Sequence, residues 1–243
     1  MKLAFDNLIV EVTRKCNMCC AHCMRGNAEN EDLNLDKFAA FIKDVDSIGS
    51  VTFTGGEPTL NVNAIKFVLH MCKALEIPVY NFYIVTNGKE ITAEFLNAMI
   101  DWYVYCIECG GEPELCGVAL SQDEFHEDID QENVAKLRAL SFYRPDDKKT
   151  RSWKHTNLID LGNARNIVSV PKRDPMRYPP TVEPLNDILT IYDGQITFTV
   201  DGDILFDCDY EYESTDEIKA CDWTNAVEMF DRMANDPDYL FPI

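Results

Sequence analysis

The chain has 243 residues, 46% of them apolar, which is enough for one large domain with a complete hydrophobic core. Its net charge of −20 argues against non-specific nucleic-acid binding and against docking on an anionic membrane, because both need a basic surface. No apolar run approaches the roughly 20 residues that cross a bilayer, and the first residues do not resemble a secretory signal. Ten cysteines without such a signal indicate the reducing cytoplasm, where clustered thiols more often serve metal binding or catalysis than disulfides.

The first two thirds of the chain alternate between strand-like and helix-like segments. The predicted strands are short apolar runs at 8–12, 51–54, 79–85, 102–107, 116–120 and 156–161. The predicted helices are amphipathic segments at 35–45, 64–75, 92–100 and 133–140, the third with Thr92 as its N-cap. Strands separated by helix-length segments imply right-handed βαβ units and a parallel sheet.

The pattern changes after about residue 170. Five prolines between 171 and 184 predict an irregular loop, and the pairs Asp193-Gly194 and Asp201-Gly202 predict the turns of an antiparallel β-meander. A last amphipathic helix is expected at 225–233. We therefore expect a core over residues 1–170, with residues 171–243 packed on it as loop, meander and C-terminal helix.

Three motifs directly follow predicted strands. Cys16, Cys20 and Cys23 form a C-x3-C-x2-C run after the first strand, Gly55-Gly56-Glu57-Pro58 follows the second, and Thr86-Asn87-Gly88 follows the third. Because loops at the C-terminal ends of parallel strands usually bind ligands, we expect the three motifs on one rim. Three thiolates are one fewer than a cubane iron–sulfur cluster takes, which leaves one iron open.

The cysteine run and the Gly-Gly-Glu-Pro turn in a βα frame resemble the radical S-adenosylmethionine (radical SAM) enzymes, over about the first 165 residues. The resemblance implies an α/β fold, a partial parallel (β/α)6 barrel with a small antiparallel β appendage and a C-terminal helix. It implies that Cys16, Cys20 and Cys23 bind a [4Fe–4S] cluster whose open iron is chelated by SAM. Reductive cleavage of SAM would give a 5′-deoxyadenosyl radical that removes hydrogen from an organic substrate.

The resemblance also implies SAM contacts near these motifs. Gly55 and Gly56 would let the backbone approach SAM, and Glu57 would accept a hydrogen bond from its ammonium group unless it is only a helix-start acid. His22 takes the place of an aromatic residue that contacts adenine, although His22 or Cys19 could also be the fourth ligand of a zinc site.

Further candidates follow the later strands. Thr86 and Asn87 would contact SAM, or they would simply form a turn. Ser121, in the sequence Ser121-x-Asp123-x2-His126, would contact the SAM ribose or the substrate. Arg165, in the turn 162–165, would pair with the methionine carboxylate of SAM or be a solvated surface residue.

The other cysteines leave an ambiguity. Residues 201–208, ending in Cys208, resemble the opening of the SPASM or twitch extensions that hold auxiliary clusters, yet only Cys221 follows. Cys106, Cys109 or Cys116 would complete the ligands of an auxiliary cluster, or else these cysteines are buried structural residues.

These features favour a radical SAM enzyme that acts on a peptide or protein, or alternatively on a small metabolite or nucleotide precursor. An iron–sulfur electron carrier or sensor would not need the Gly-Gly-Glu-Pro turn, and a zinc-binding interaction module would hold zinc instead of iron.

The enzyme would need a flavodoxin- or ferredoxin-type reductant, and these are generally acidic. Nine of the 22 basic residues lie between 144 and 177, so this stretch is either a docking surface for such a partner or a solvated loop.

Overall fold

The structure is a computed structural model that describes residues 1–123, 125–145, 158–175, 178–236 and 239. Its strands are β1 (Lys2–Thr13), β2 (Val45–Gly55), β3 (Val79–Thr86), β4 (Gly117–Leu120), β5 (Tyr143–Arg144), β6 (Leu158–Ile159), β7 (Lys172–Arg173), β8 (Thr181–Leu185), β9 (Ile188–Tyr192), β10 (Ile196–Phe198), β11 (Asp203–Phe206) and β12 (Cys221–Asp222). Its α-helices are α1 (Leu35–Phe41), α2 (Val62–Ala74), α3 (Ala93–Glu108), α4 (Gln131–Arg138), α5 (Thr215–Ile218) and α6 (Ala226–Asn235).

The sheet has the order β12-β11-β10-β1-β2-β3-β4-β5, with β9 also paired to β1 and β8 paired to β9. Strands β1 to β5 are parallel neighbours joined through helices, as the alternating sequence pattern predicts. The sheet is open among the described strands, because β5 and β12 each have one partner. This mostly parallel, open architecture confirms the predicted α/β partial-barrel fold.

The predicted strand at 102–107 is wrong, because these residues lie in the second half of α3. Phe95, Met99, Trp102 and Cys106 recur every three or four residues and are all buried, which is the spacing of one helix face. Trp102 packs on Phe53 of β2 with ring centroids 5.2 Å apart. A six-residue apolar run that covers both the buried and the exposed face of a helix cannot be told from a strand by periodicity alone.

The helix starts were predicted more accurately. The side chain of Thr92 accepts a hydrogen bond from the backbone N–H of Phe95 at 3.1 Å, so the predicted N-cap of α3 is confirmed. None of the helices that the structure describes is long and apolar enough to cross a membrane.

The C-terminal strands extend the main sheet. Asp201-Gly202 reverses the chain between the antiparallel strands β10 and β11, as predicted. The turn predicted at Asp193-Gly194 does not reverse the chain. Strands β9 and β10, which flank it, both run parallel to β1, and their pairing register with β1 shifts by two residues from β9 to β10. The ring of Phe230 on α6 packs on Phe5 of β1 at a centroid distance of 6.0 Å. The boundary at residue 170 stays a prediction.

Parts of two predicted segments lie outside the described residues. Of the strand predicted at 156–161, β6 accounts for Leu158–Ile159, and residues 156–157 are outside. Of the basic stretch 144–177, residues 146–157 and 176–177 are outside, so its role stays a prediction.

Candidate active site

The turns that follow β1, β2, β3 and β4 surround one cavity of about 530 Å³. Its wall includes nearly all the site residues predicted from the sequence, namely Cys16, Cys20, His22, Cys23, Gly55, Gly56, Glu57, Thr86, Asn87 and Ser121. Exposed Gln195 also lines it, so the cavity is bordered by solvent near the start of β10. The prediction that the motifs share one rim is therefore confirmed by their placement.

The three motif cysteines lie in the loop between β1 and α1, and a smaller cavity of about 70 Å³ adjoins them. Their Sγ atoms do not all lie within 4.8 Å of one another, since the described groups that meet this limit are His22–Asp123–His126 and residues 207–209. Two thiolates on one zinc ion are at most about 4.6 Å apart, twice the Zn–S bond length. At least one pair of the three sulfurs therefore lies too far apart to share one zinc ion in this arrangement.

The thiol chemistry of this loop also suits a bound metal cluster. Burial, and then the nearby Cys16 and Cys23 sulfurs, raise the pKa of Cys20 to about 11. Burial likewise raises the pKa of Cys16. Neighbouring thiolates are disfavoured without a cation, whereas a coordinated metal deprotonates its thiol ligands. The donor set thus fits a cationic iron–sulfur core.

Glu57 is the most heavily hydrogen-bonded residue of the cavity wall, and only 1% of its surface is exposed. Its Oε1 accepts hydrogen bonds from the backbone N–H of Thr59 (3.1 Å) and from the hydroxyls of Thr59 and Thr86 (both 2.8 Å). Its Oε2 accepts one from the N–H of Asn87 at 2.8 Å. Burial raises the pKa of Glu57, and these bonds oppose the rise. The carboxylate therefore joins the turns after β2 and β3, and the predicted contact with the SAM ammonium group stays a prediction.

The two glycines of the turn are required by close backbone packing. A Cβ on Gly55, whose φ is +147°, would lie 2.0 Å from the carbonyl oxygen of Thr13, and a Cβ on Gly56 would lie 2.3 Å from that of Lys15. The N–H of Gly56 donates to the Thr13 carbonyl at 2.9 Å. The turn thus packs closely on the end of β1 and the start of the cysteine loop, and the Gly56 amide is hydrogen-bonded within the chain. The approach of the Gly55–Gly56 backbone to SAM stays a prediction.

The turn after β3 reaches the cysteine loop directly. The side-chain amide of Asn87 donates to Oδ1 of Asn17 at 2.9 Å and lies 4.0 Å from Sγ of Cys16. Thr86 is almost fully buried, and its hydroxyl oxygen accepts from the N–H of Gly88 at 3.0 Å. Asn87, predicted as a site residue, therefore contacts the first cysteine of the C-x3-C-x2-C run.

The loop after β4 brings a Ser–His–Asp chain to the cavity. Oγ of Ser121 lies 3.3 Å from Nε2 of His126, whose Nδ1 lies 2.8 Å from Oδ1 of Asp123. Oδ2 of Asp123 is 3.3 Å from Nε2 of His22 on the cysteine loop. Burial, partly opposed by Asp123, lowers the pKa of His22, and its Nδ1 is buried without a hydrogen-bond partner among the described residues. A ligand that donates an N–H to this nitrogen would satisfy it, which fits the predicted adenine contact.

Arg165 is the predicted site residue that the structure does not bring to the described wall of the cavity. Its side chain is half exposed, and Nη1 pairs with Oε2 of Glu211 at 2.8 Å. The turn that carries it still supports the site, because the N–H of Asn163 donates to the carbonyl of Cys23 at 2.9 Å. The pairing of Arg165 with the SAM carboxylate stays a prediction.

Sequence reasoning missed several residues of the cavity wall, among them Tyr83, Gln195 and Arg25. Arg25 carried a usable signal, since it is a basic residue two positions after the third cysteine of the motif. Cys208 also lines the cavity, with burial raising the pKa of its thiol to about 11. Gln195 carried no signal, because its position depends on how β10 pairs with β1.

Among the remaining cysteines, Cys208 belongs with Asp207 and Asp209 to a described group of three possible ligand atoms within 4.8 Å of one another, and the other cysteines belong to none. Cys106 and Cys116 are buried and hydrogen-bonded to each other, and Cys72 and Cys109 pack in the same core. None of them, nor Cys221, belongs to a described group of three ligand atoms within 4.8 Å. The auxiliary cluster and the SPASM resemblance stay predictions.

The model of the Radical SAM superfamily matches residues 10–132, which is about half of the chain and spans the cysteine run and the turns after β2 and β3. This chain belongs to the radical SAM superfamily. The family's cofactors are a [4Fe–4S] cluster and SAM, and the sulfur spacing, the raised thiol pKa values and the orphaned His22 nitrogen fit them. The recognition made from the cysteine run and the Gly-Gly-Glu-Pro turn is confirmed.

One curated relative is an uncharacterized protein of Methanocaldococcus jannaschii, 33% identical over 69 residues. The match covers 27% of this radical SAM chain and 24% of the relative, so the chain spans about a quarter of that protein's length.

Solved structures share the fold. Native anSMEcpe with bound AdoMet and Cp18Cys peptide has a TM-score of 0.58 at 13% identity, covering 97% of this chain and 81% of that one. Native anSMEcpe with bound AdoMet has a TM-score of 0.57 at 13% identity, covering 96% and 81%. At this identity the likeness shows the fold alone.

Proposed function

We propose that this chain is a radical SAM enzyme in which Cys16, Cys20 and Cys23 hold the [4Fe–4S] cluster and the large cavity binds SAM beside an organic substrate. The observation that carries the proposal is that the three cysteines and the turns after β2, β3 and β4 line one cavity. A cluster-binding electron carrier would not need a cavity of about 530 Å³ beside its cysteines.

The bound cofactors supply reductive cleavage of SAM and hydrogen-atom abstraction, and the chain supplies geometry. Glu57 fixes the turns after β2 and β3 relative to each other. His22 lines the cavity, and its buried Nδ1 has no hydrogen-bond partner among the described residues. Ser121 presents a hydroxyl that His126 orients. These groups bind and orient SAM, and the surrounding wall limits the access of water.

For the substrate we propose a peptide or protein side chain. The support is the fold shared with anSMEcpe, which was solved with a bound peptide, and the exposed Gln195 at the border of the cavity. A small metabolite or nucleotide precursor is the competing substrate class. Incubation with peptide libraries and with metabolite pools, read by mass spectrometry for loss of hydrogen, distinguishes the two.

We also propose that a flavodoxin- or ferredoxin-type protein in the cytoplasm is the reductant. The chain's own charge of −20 makes an acidic partner unfavourable except near a basic region such as 144–177. Reversing the charges of Lys172 and Arg173 should then slow reduction by flavodoxin while leaving reduction by dithionite unchanged. Equal rates with flavodoxin would remove this region from the docking surface.

The central test is anaerobic reconstitution with iron and sulfide, followed by dithionite and SAM. We expect a brown protein that converts SAM to 5′-deoxyadenosine and methionine. An intact cluster without 5′-deoxyadenosine would instead indicate an electron carrier or sensor. A colourless protein that retains zinc would overturn the proposal.

A further inference from the structure

Arg25 is a buried cation beside the cluster cysteines. It is 5% exposed, and it lines both the large cavity and the smaller one together with Cys16, Cys20 and Cys23. A guanidinium group stays protonated in proteins, so its charge is permanent. A permanent charge in such a place needs a counter-charge, because burial of an unpaired ion is strongly unfavourable.

The described part of the chain provides no carboxylate for Arg25 within ion-pair distance. Its Nη1 donates to the backbone carbonyls of Cys208 and Tyr210, both at 2.8 Å. Its guanidinium carbon lies 3.6 Å from the centroid of the Tyr210 ring. These contacts hold the side chain in place and satisfy part of its hydrogen bonding, but carbonyls and a neutral ring do not cancel the charge.

Arg14 lines the same smaller cavity and shows the contrasting arrangement. Its guanidinium pairs with Glu11 at 3.3 Å, Glu29 at 2.9 Å and Glu31 at 3.4 Å. Its charge is therefore compensated within the chain. Of the two arginines that share this cavity, Arg25 is the one without a carboxylate within ion-pair distance among the described residues.

The Cys208 thiol does not supply the missing charge either. Burial raises its pKa to about 11 even though Arg25 favours the thiolate, so the thiol is neutral at physiological pH. Glu11 acts on Arg25 electrostatically from beyond ion-pair distance, but its Oε2 is already paired with Arg14 at 3.3 Å. The cluster would therefore be the anion added beside Arg25. Three thiolates outweigh the positive charge of the iron–sulfur core, and reduction by one electron adds a further negative charge.

We propose that Arg25 is the charge partner of the iron–sulfur cluster and raises its reduction potential, an inference that rests on the cluster site proposed above. A fixed positive charge in a site of low polarity stabilises the more negative, reduced cluster more than the oxidised one. Arg25 also links the cysteine loop to the segment after β11, through its hydrogen bonds to the carbonyls of Cys208 and Tyr210. Arg25 thus acts on the chemistry through the cluster, as a positioning and charge-supplying residue.

The test compares Arg25→Gln, which removes the charge but can still hydrogen-bond, with Arg25→Lys, which keeps the charge. Lys89→Gln is the matched control, because Lys89 is an exposed cation that donates to the carbonyl of Asn17 on the same loop at 2.8 Å. Each full-length protein is reconstituted anaerobically and titrated with dithionite without SAM. Iron content, circular dichroism and the midpoint potential from electron paramagnetic resonance are recorded.

We expect Arg25→Gln to lower the midpoint potential by the equivalent of a tenfold change in the oxidised-to-reduced ratio or more, which is about 59 mV for one electron. Arg25→Lys and Lys89→Gln should stay within a twofold change of that ratio. If Arg25→Gln folds but takes up no iron, Arg25→Lys should still load, because it retains the charge. An unchanged potential in Arg25→Gln, or loss of iron or of folding in both variants, would overturn the inference. Failure of the wild type to load iron would instead refute the cluster site itself.

Discussion

The backbone N–H of Asn87 donates to Oε2 of Glu57 at 2.8 Å, so one buried carboxylate holds the turn after β3 against the turn after β2. Asn87 in turn places its side-chain amide 4.0 Å from Sγ of Cys16. A continuous set of contacts therefore runs from the second turn through the third to the cysteine loop. The parts of the site that lie far apart in the sequence are fixed relative to one another by these contacts.

Removing the carboxylate should loosen this arrangement. Glu57→Ala leaves the buried donors of Thr86 and Asn87 without an acceptor, so we expect a loss of about 3 kcal/mol in the free energy of unfolding. We expect SAM affinity to fall about tenfold, since loosened turns lose about 1.4 kcal/mol of binding, while iron content is preserved. Urea denaturation and isothermal titration measure the two effects. Glu90→Ala, in an exposed position on the next loop, should change neither; unchanged SAM affinity in Glu57→Ala would remove Glu57 from the site.

The proposed cluster ligands include Cys20 but not the adjacent Cys19. Cys20 lines the large cavity, whereas Cys19 is exposed and lines only the smaller described cavity. Cys20→Ala should therefore lose the cluster, and Cys19→Ala should keep the wild-type content of about four irons per chain. Iron analysis and the visible absorption spectrum after anaerobic reconstitution provide the measurement. Equal loss in the two variants would contradict the assignment.

The turn after β2 also requires a glycine at position 55. Gly55→Ala would force a Cβ to within 2.0 Å of the Thr13 carbonyl at a φ of +147°, so we expect a loss of at least about 3 kcal/mol in the free energy of unfolding. Gly110→Ala is the control, since Gly110 has a φ of +89° and no atom within 4 Å of its added Cβ. That variant should lose about 1 kcal/mol, from backbone strain alone. Similar urea midpoints for the two variants would mean that the cysteine loop moves aside.

The sequence predicted the motif positions well because they depend on local chemistry. Strand, turn and helix signals placed the cysteine run, Gly55 to Glu57 and Thr86 to Asn87 at the ends of parallel strands, and parallel strands end on a common rim. The run at 102–107 was misread because Val104 and Ile107 place apolar side chains on the exposed face of α3 as well, so the short stretch carries no decisive period.

Other features depend on tertiary pairing that no local pattern encodes. Gln195 and Cys208 reach the cavity because β10 joins β1 and then turns back through β11. The ion pair of Arg165 with Glu211 likewise joins residues 46 positions apart. The family resemblance suggested the SAM carboxylate as the partner of Arg165, but no local pattern indicated that Glu211 would pair with it. The roles of Glu57 and Gly56 within the chain became visible only once their hydrogen bonds were known.

The Asp123–His126 pair predicts a specific dependence of stability on pH. Burial alone would raise the pKa of Asp123, but the hydrogen bond with His126, the N–H of Phe125 and the charge of His22 outweigh it, and the net shift is downward. A lowered carboxyl pKa in the folded state contributes stability above the unfolded value of 3.8, and this contribution is lost as the pH falls through the folded value. The Asp123→Asn variant should therefore be less stable than the wild type by about 1 kcal/mol at pH 5.

That difference should shrink as the pH falls below 3.8 and through the lowered pKa of the folded state, because the wild-type carboxylate then becomes protonated too. Urea denaturation of the cluster-free, reduced protein across this range gives the measurement. Asp128→Asn, an exposed position in the same loop, is the control and should follow the wild type at every pH. A stability difference for Asp123→Asn that stays constant as the pH falls from 5 through this range would show that the ionised carboxylate of Asp123 does not stabilise this loop.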